Sequence, residues 1–140
     1  PAINSIDENG EAITLDQFKG KKVVLYFYPK DMTPGCTVQS CNLRDNYQAL
    51  LDNGFVVLGC SADSPERHQK FIEKYDLTFP LISDESKEVL NAYGVWGLKK
   101  FMGKEYMGIM RTTFVIDENG IIEDIITKVK TKEHTQQILK

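Results

Sequence analysis

The residues best able to do chemistry in this 140-residue chain are its three cysteines, and their settings differ. Cys36 stands where the turn Pro34-Gly35 hands over to a helical stretch. A helix N-terminus presents unpaired N–H donors and the positive end of the macrodipole, both of which favour thiolate over thiol. At about 100° per residue, Cys36 falls near the face carrying Leu43, Tyr47 and Leu50, which predicts a sulfur shielded from bulk water at the foot of a pocket. The competing reading of that position is a plain buried hydrophobe.

Cys41 is turned roughly 140° from Cys36, toward Asp45, Gln48 and Asp52, and so lies on the wet face. Two helical Cα atoms at i and i+5 are about 8.7 Å apart, beyond the roughly 7 Å over which a disulfide closes. Either the helix start unwinds to join these sulfurs, or the two thiols are unrelated. Cys60 ends an apolar strand with no basic neighbour in sequence and is expected to be structural and inert. C-x4-C is not a usual zinc spacing, and His68 and His134 complete no motif with it, so no metal site is expected. His68 sits on an apolar helical stripe, the place of a packed histidine. Thr33 in the turn and Arg111 ahead of a later strand are bland singly, as a cap residue and a solvated charge. Together they could set a hydroxyl and a fixed cation beside a thiolate.

Short apolar runs alternating with amphipathic segments are the elements that must position these groups, and they predict βαβ units and a mixed central sheet with helices on both faces. Residues 23–28 read as a buried central strand closed by Pro29, 36–52 as a helix ended by Asn53-Gly54, and 55–60 as a second strand. Ser64 and Pro65 mark the start of a helix whose stripe is His68, Phe71, Ile72 and Tyr75. Residues 79–82 follow as a strand and 85–93 as a short helix. The stretch 95–110, broken by Gly97, Gly103 and Gly108 among lysines, is expected to be a long surface loop. Residues 112–116 and 121–127 flank Asn119-Gly120 as a hairpin, and 132–140 is weakly helical. The order expected is β-α-β-α-β-α-β-β-α.

Composition bounds the rest. Seventeen Lys and Arg against twenty Asp and Glu give a net charge of -3, without the basic field of a nucleic-acid or anionic-membrane binder. The longest apolar run, 23–28, is far short of the roughly 20 residues that span a bilayer. Length predicts a single domain over 1–140, and the absence of an apolar leader in the first twenty residues predicts a cytoplasmic protein. With no long apolar surface stripe left over, a monomer is expected, a dimer being the alternative.

From Pro29 through Thr33 and Cys36 to Cys41 the chain resembles the peroxiredoxins, through their P-x3-[TS]-x2-C signature. A second cysteine five residues later is similar to the bacterioferritin comigratory, or Q-type, subfamily of atypical two-cysteine members. The likeness extends to residues 15–22, 26–31, 60–64, 79–81 and 111–117. It implies an α/β thioredoxin-like fold and a cofactor-free, thioredoxin-dependent peroxidase acting on hydrogen peroxide and organic hydroperoxides. It also implies Cys36 as peroxidatic nucleophile, Thr33 and Arg111 as its activating and aligning partners, and Pro29 as a pocket wall. Cys41 would resolve the Cys36 sulfenic acid to an intramolecular disulfide, which thioredoxin or a similar dithiol reduces. The alternatives are a thioredoxin-type disulfide reductase and a non-catalytic redox-sensing module.

Overall fold

The computed structural model describes residues 3–139, the Phe101 side chain aside. Strands β1 (Asn4–Ile6) and β2 (Ala12–Thr14) form a hairpin ahead of a 3-10 turn at Leu15–Phe18. Then come β3 (Lys22–Phe27), α1 (Pro34–Asp45), α2 (Tyr47–Asp52), β4 (Phe55–Ser61), α3 (Pro65–Tyr75) and β5 (Leu81–Ser83). They are followed by α4 (Glu88–Ala92), β6 (Trp96–Phe101), β7 (Lys104–Ile109), β8 (Thr112–Ile116) and β9 (Ile122–Ile126). A 3-10 turn at Thr131–Glu133 leads into α5 (His134–Leu139). No described helix is long and apolar enough to cross a membrane.

Seven strands form one mixed sheet in the order β2-β1-β5-β4-β3-β8-β9. β3, β4 and β5 run parallel, while β8 runs antiparallel to β3 and β9 antiparallel to β8. Side chains of a strand alternate between faces, and β3 with the residue after it feeds two cores. Val23, Leu25 and Phe27 pack with Val89 and Leu90 of α4. Val24, Tyr26 and Tyr28 pack with Leu43 of α1, Leu50 of α2 and Phe71 of α3. Helices therefore cover both faces, as the pattern of apolar runs predicts. A Cβ at Gly59 of β4 would lie 2.6 Å from Leu81 Cδ2 and 2.9 Å from Tyr26 Cζ, so its missing side chain is what lets the Tyr26 ring lie across the sheet.

The stretch expected as a loop at 95–110 is instead a two-stranded ribbon, β6–β7, paired from Trp96 with Ile109 to Phe101 with Lys104. Met102 (φ 51°) and Gly103 (φ 78°) both take positive φ at its turn, the geometry that matches strand twist in a two-residue hairpin. Met-Gly is not a usual signal for that turn, and the interrupting glycines and lysines hide the alternation. The β1–β2 hairpin also escapes the sequence pattern, because each strand is only three residues long. The helix expected over 36–52 is broken at Asn46, whose side-chain amide donates to the Asn42 carbonyl at 2.8 Å and competes with the backbone ladder. α3 begins as expected, with Ser64 Oγ accepting from Arg67 N at 3.2 Å and Pro65 in the first turn.

A buried polar cluster fastens the end of β3 to α3 and β5. Asp31 is fully buried; it accepts from Tyr28 Oη at 2.5 Å and is hydrogen-bonded to His68 Nδ1 at 2.6 Å. A carbonyl only accepts, so the other imidazole nitrogen donates to Ile82 O at 3.0 Å. Asp31 N donates to Asp63 Oδ2 at 2.8 Å, and Arg67 pairs with Asp63 at 3.0 Å while donating to Asp31 O. Asp31, Asp63 and His68 bring three ligand-type atoms within 4.8 Å of one another, and each already has a partner inside the cluster. His68 is thus a packed histidine with a defined task. The next residue, Met32, takes the left-handed conformation (φ 68°), which a non-glycine residue holds only when its surroundings fix it.

Removing one partner of a buried pair leaves the other uncompensated. His68→Leu should therefore cost about 3–5 kcal/mol of stability, while Asp31→Ala combined with His68→Leu should recover most of the loss. Urea unfolding of the four proteins in this cycle measures it, and a double variant no more stable than His68→Leu would refute the pairing account.

Candidate active site around Cys36

The site is built where the C-terminal end of β3 meets the start of α1. Thr33 is the N-cap with extended backbone (φ -81°, ψ 151°), Pro34 follows it, and Cys36 is the third helical residue. The first helical hydrogen bond runs from Thr37 N to Thr33 O at 2.9 Å. Pro34 has no N–H, and the N–H groups of Gly35 and Cys36 precede the first intrahelical donor. The Thr33 side chain does not cap them. Two backbone donors are thus left uncapped in the helix turn that carries Cys36.

Cys36 is fully buried, in one cluster with Tyr26, Tyr28 and Leu43. Arg111 reaches it from the neighbouring strand. β3 and β8 pair so that Phe27 faces Thr112, which sets Arg111 one step beyond, at the sheet end that carries the Cys36 turn. Its Nη2 donates to Cys36 Sγ at 3.3 Å and its Nη1 to Gln39 Oε1 at 2.5 Å. Gly35 permits the approach: a Cβ there would sit 3.1 Å from Arg111 Nη2. Of the residues singled out in the sequence, Cys36 and Arg111 are thereby brought into contact.

The other expected residues lie close by in the chain but are engaged differently. Thr33 Oγ1 donates to Lys30 O at 2.8 Å, which commits its proton to the turn and leaves its lone pairs free to accept. Pro29 is half-buried at the strand end. Cys41 is half-buried, and all three cysteines are unbridged. Burial pushes the Cys41 thiol above the ordinary range, opposed by the Arg44 guanidinium and reinforced by Asp45. Cys60 is fully buried in the core, with burial first and Asp84 second pushing its thiol well up.

Gln39 was not visible as a site residue from the sequence. Its spacing of three from Cys36 places it on the same helix side, and it is fully buried with its amide oxygen holding the guanidinium. Ser40 was missed as well; its hydroxyl meets Tyr26 Oη at 2.8 Å beneath the site. The arrangement can hold a sulfur anion against a fixed cation and offer further donors to charge developing on an adjacent oxygen.

Comparison with known proteins identifies the chemistry this geometry serves. The model of the AhpC/TSA family matches residues 1–125. Peroxiredoxin Bcp of Escherichia coli (strain K12) is 49% identical over 139 residues, covering 99% of this chain and 89% of that protein. Peroxiredoxin Bcp of Bacillus subtilis (strain 168) is 46% identical over 140 residues, covering 100% of this chain and 89% of the relative. A structure of Xanthomonas campestris peroxiredoxin Q superposes with a TM-score of 0.91 at 34% identity, covering 98% of this chain and 87% of the other. With a thioredoxin-like mixed sheet presenting Cys36 to Arg111, the chain belongs to the AhpC/TSA family, as a Bcp/Q-type peroxiredoxin and thiol-dependent peroxidase.

Proposed function

We propose that Cys36 is the peroxidatic nucleophile and Cys41 the resolving cysteine of a single-domain, monomeric, cytoplasmic enzyme that consumes hydrogen peroxide and organic hydroperoxides. The observation that carries this reading is the 3.3 Å contact of Arg111 Nη2 with Cys36 Sγ, fixed from behind by Gln39. A Xanthomonas campestris bacterioferritin comigratory protein of the same fold, 33% identical to this chain, is described as having alkyl peroxide reduction activity, which supports the substrate class.

In the first step the Cys36 thiolate attacks one peroxide oxygen; an S–O bond forms, the O–O bond breaks, and the departing oxygen leaves as water or alcohol after taking a proton. Negative charge spreads from sulfur over both oxygens on the way. The guanidinium and the N–H groups of the helix start are the donors that bind this distribution better than they bind the ground state, while the Thr33 hydroxyl oxygen, its proton committed to Lys30 O, accepts from the peroxide O–H and orients it. Pro29 closes one side of the pocket. The product is a Cys36 sulfenic acid.

In the second step the Cys41 thiolate attacks the Cys36 sulfur; the S–S bond forms, the S–O bond breaks and hydroxide leaves as water. An i, i+5 separation of about 8.7 Å between Cα atoms bars this while α1 is intact, so the helix start unwinds. Unwinding also removes the burial that holds the Cys41 thiol up, so the motion that brings the sulfurs together frees the attacking group to ionise. A dithiol partner of thioredoxin type then reduces the disulfide. A disulfide reductase or redox-sensing module on the same scaffold is distinguished by negligible peroxide turnover.

Cys36→Ser should reduce peroxide consumption to background, while Cys41→Ser should still oxidise once per chain and fail to recycle with thioredoxin. Stopped-flow peroxide assays and disulfide mapping by mass spectrometry after one equivalent of peroxide check both, and normal recycling in Cys41→Ser would remove Cys41 from the mechanism. Far-ultraviolet circular dichroism of reduced and oxidised protein should show helix lost on oxidation; unchanged spectra would contradict the unwinding step. Arg111→Ala should lower the second-order rate constant with peroxide about 10²–10³-fold, with Gln39→Leu giving a smaller loss. A wild-type rate constant in Arg111→Ala would overturn the role of the guanidinium.

A further inference from the structure

The β6–β7 ribbon takes no part in the chemistry derived above, yet it concentrates exposed apolar surface beside it. Leu98 and Met107 face each other across the ribbon and are each 52% exposed. Met102 at the tip is 87% exposed, and Tyr106 and Met110 are exposed as well. The other large exposed apolar residues, Ile6, Val38, Leu51, Ile121 and Ile125, are spread over four separate parts of the chain. Exposed apolar residues gathered on one ribbon mark a binding surface, whereas scattered single residues need no explanation. Tyrosine and methionine are also the residue types enriched where proteins meet.

Charge and placement narrow the partner. Lys99, Lys100 and Lys104 against Glu105 make the ribbon basic on a chain whose net charge is -3. The stem of Lys99 and the ring of Tyr106 lie over Gly108, where a Cβ would sit 3.0 Å and 3.3 Å from them, so the second face offers an apolar platform, with the Lys99 ammonium donating to Ile109 O at 3.0 Å. The root of the ribbon is fixed by Met110 N donating to Val95 O at 2.6 Å, and the next residue is Arg111, which touches Cys36 Sγ. The ribbon's root thus adjoins the residue that touches the reacting sulfur, so a partner lying along the ribbon reaches the site at one end. Strands of this length run about 20 Å, far more than a small peroxide can use. The one macromolecule the reaction requires is the protein dithiol that returns Cys36 and Cys41 to thiols.

We propose that the β6–β7 ribbon is the docking surface for that reductant, recognising on it an apolar patch rimmed by acidic residues. The inference rests on the peroxidase reading above and names the face through which its reductant enters. Docked there, a partner thiolate attacks one sulfur of the Cys36–Cys41 disulfide; the S–S bond breaks and a mixed disulfide forms. The partner's second thiol then displaces the enzyme sulfur, so two electrons pass to the enzyme and the partner leaves as its own disulfide.

The test compares wild type, Leu98→Ser/Met107→Ser and Lys104→Glu in steady-state peroxidase assays driven either by thioredoxin or by dithiothreitol. The docking surface predicts that KM for thioredoxin rises about tenfold in the double variant, the loss expected when central apolar contacts of an interface are removed. Dithiothreitol-driven turnover and the rate constant with peroxide should stay within about twofold of wild type in both variants. Raising salt from about 50 to about 300 mM should weaken thioredoxin use by wild type and have less effect on Lys104→Glu. An unchanged KM for thioredoxin in both variants overturns the proposal. So does a wild-type KM alongside loss of binding to anionic phospholipid vesicles, or alongside loss of self-association in sedimentation, which would assign the ribbon to a membrane or to a second copy. Absence of dithiothreitol-driven turnover in wild type would instead defeat the peroxidase reading itself.

Discussion

A buried sulfur that is to act as a nucleophile needs a compensating charge within bonding distance, and the architecture places one there, with Arg111 Nη2 3.3 Å from Cys36 Sγ. Burying an unpaired anion is costly enough that the group would stay neutral. Arg111 meets the need only because β8 pairs antiparallel with β3 in the register that puts Thr112 opposite Phe27. A slip of one residue would turn every side chain of β8 to the opposite face. The guanidinium is planar with donors in a fixed fork, and the two used here lie on Cys36 Sγ and Gln39 Oε1. Gln39 therefore does more than fill space: it fixes the rotation of the cation, and both residues belong to the same helix.

That helix is also the one that the proposed Cys36–Cys41 disulfide would unwind, and its restraints are unequal along its length. Its first half is held by packing of Cys36 into the core, the Arg111 contact and the Ser40–Tyr26 hydroxyl pair. Its second half is tied to other elements through Asn42 and Arg44. Asn42 donates to Lys132 O and accepts from Thr135 N and Oγ1, and Arg44 Nη1 donates to Tyr75 O. The contacts ahead of Cys41 depend largely on the Cys36 sulfur and its cation, which are the groups changed by oxidation; those after it do not. The boundary falls at Cys41, the cysteine proposed to resolve, so the local opening that proposal requires has a natural stopping point.

Much of this was legible in the residues because it is local. The Ser64-Pro65 helix start and the Asn119-Gly120 hairpin each reside within a few residues of sequence and form where their chemistry requires, while Pro34-Gly35, expected as a turn ahead of the helix, is its first two residues. Arg111 was legible only as a candidate, since its contact spans 75 positions and depends on sheet register. The Asp31–His68 pair joins residues 37 apart, and neither signals the other in sequence. The β6–β7 ribbon was misread for a different reason: beyond Trp96 and Ile109 at its root, its described apolar side chains are exposed, so the alternation that marks a half-buried strand is not sustained along it. An exposed ribbon that pairs only with itself resembles a loop in composition, and the same exposure is what makes it available to a partner.

The three cysteines show how far environment, rather than residue type, decides reactivity. Cys60 sits in a central strand among Phe27, Leu58 and Ile82, where burial and the carboxylate of Asp84 both oppose ionisation. Cys41 is intermediate: its burial is partial and borrowed from the helix that holds it, with Arg44 already opposing that burial. Cys36 is as buried as Cys60, yet it alone has a guanidinium on its sulfur and uncapped helix N–H groups beside it. Burial alone therefore cannot distinguish a reactive thiol from an inert one. What separates Cys36 from Cys60 is the sign of the charge brought to the same depth, and that sign is set by which strand end the register places alongside.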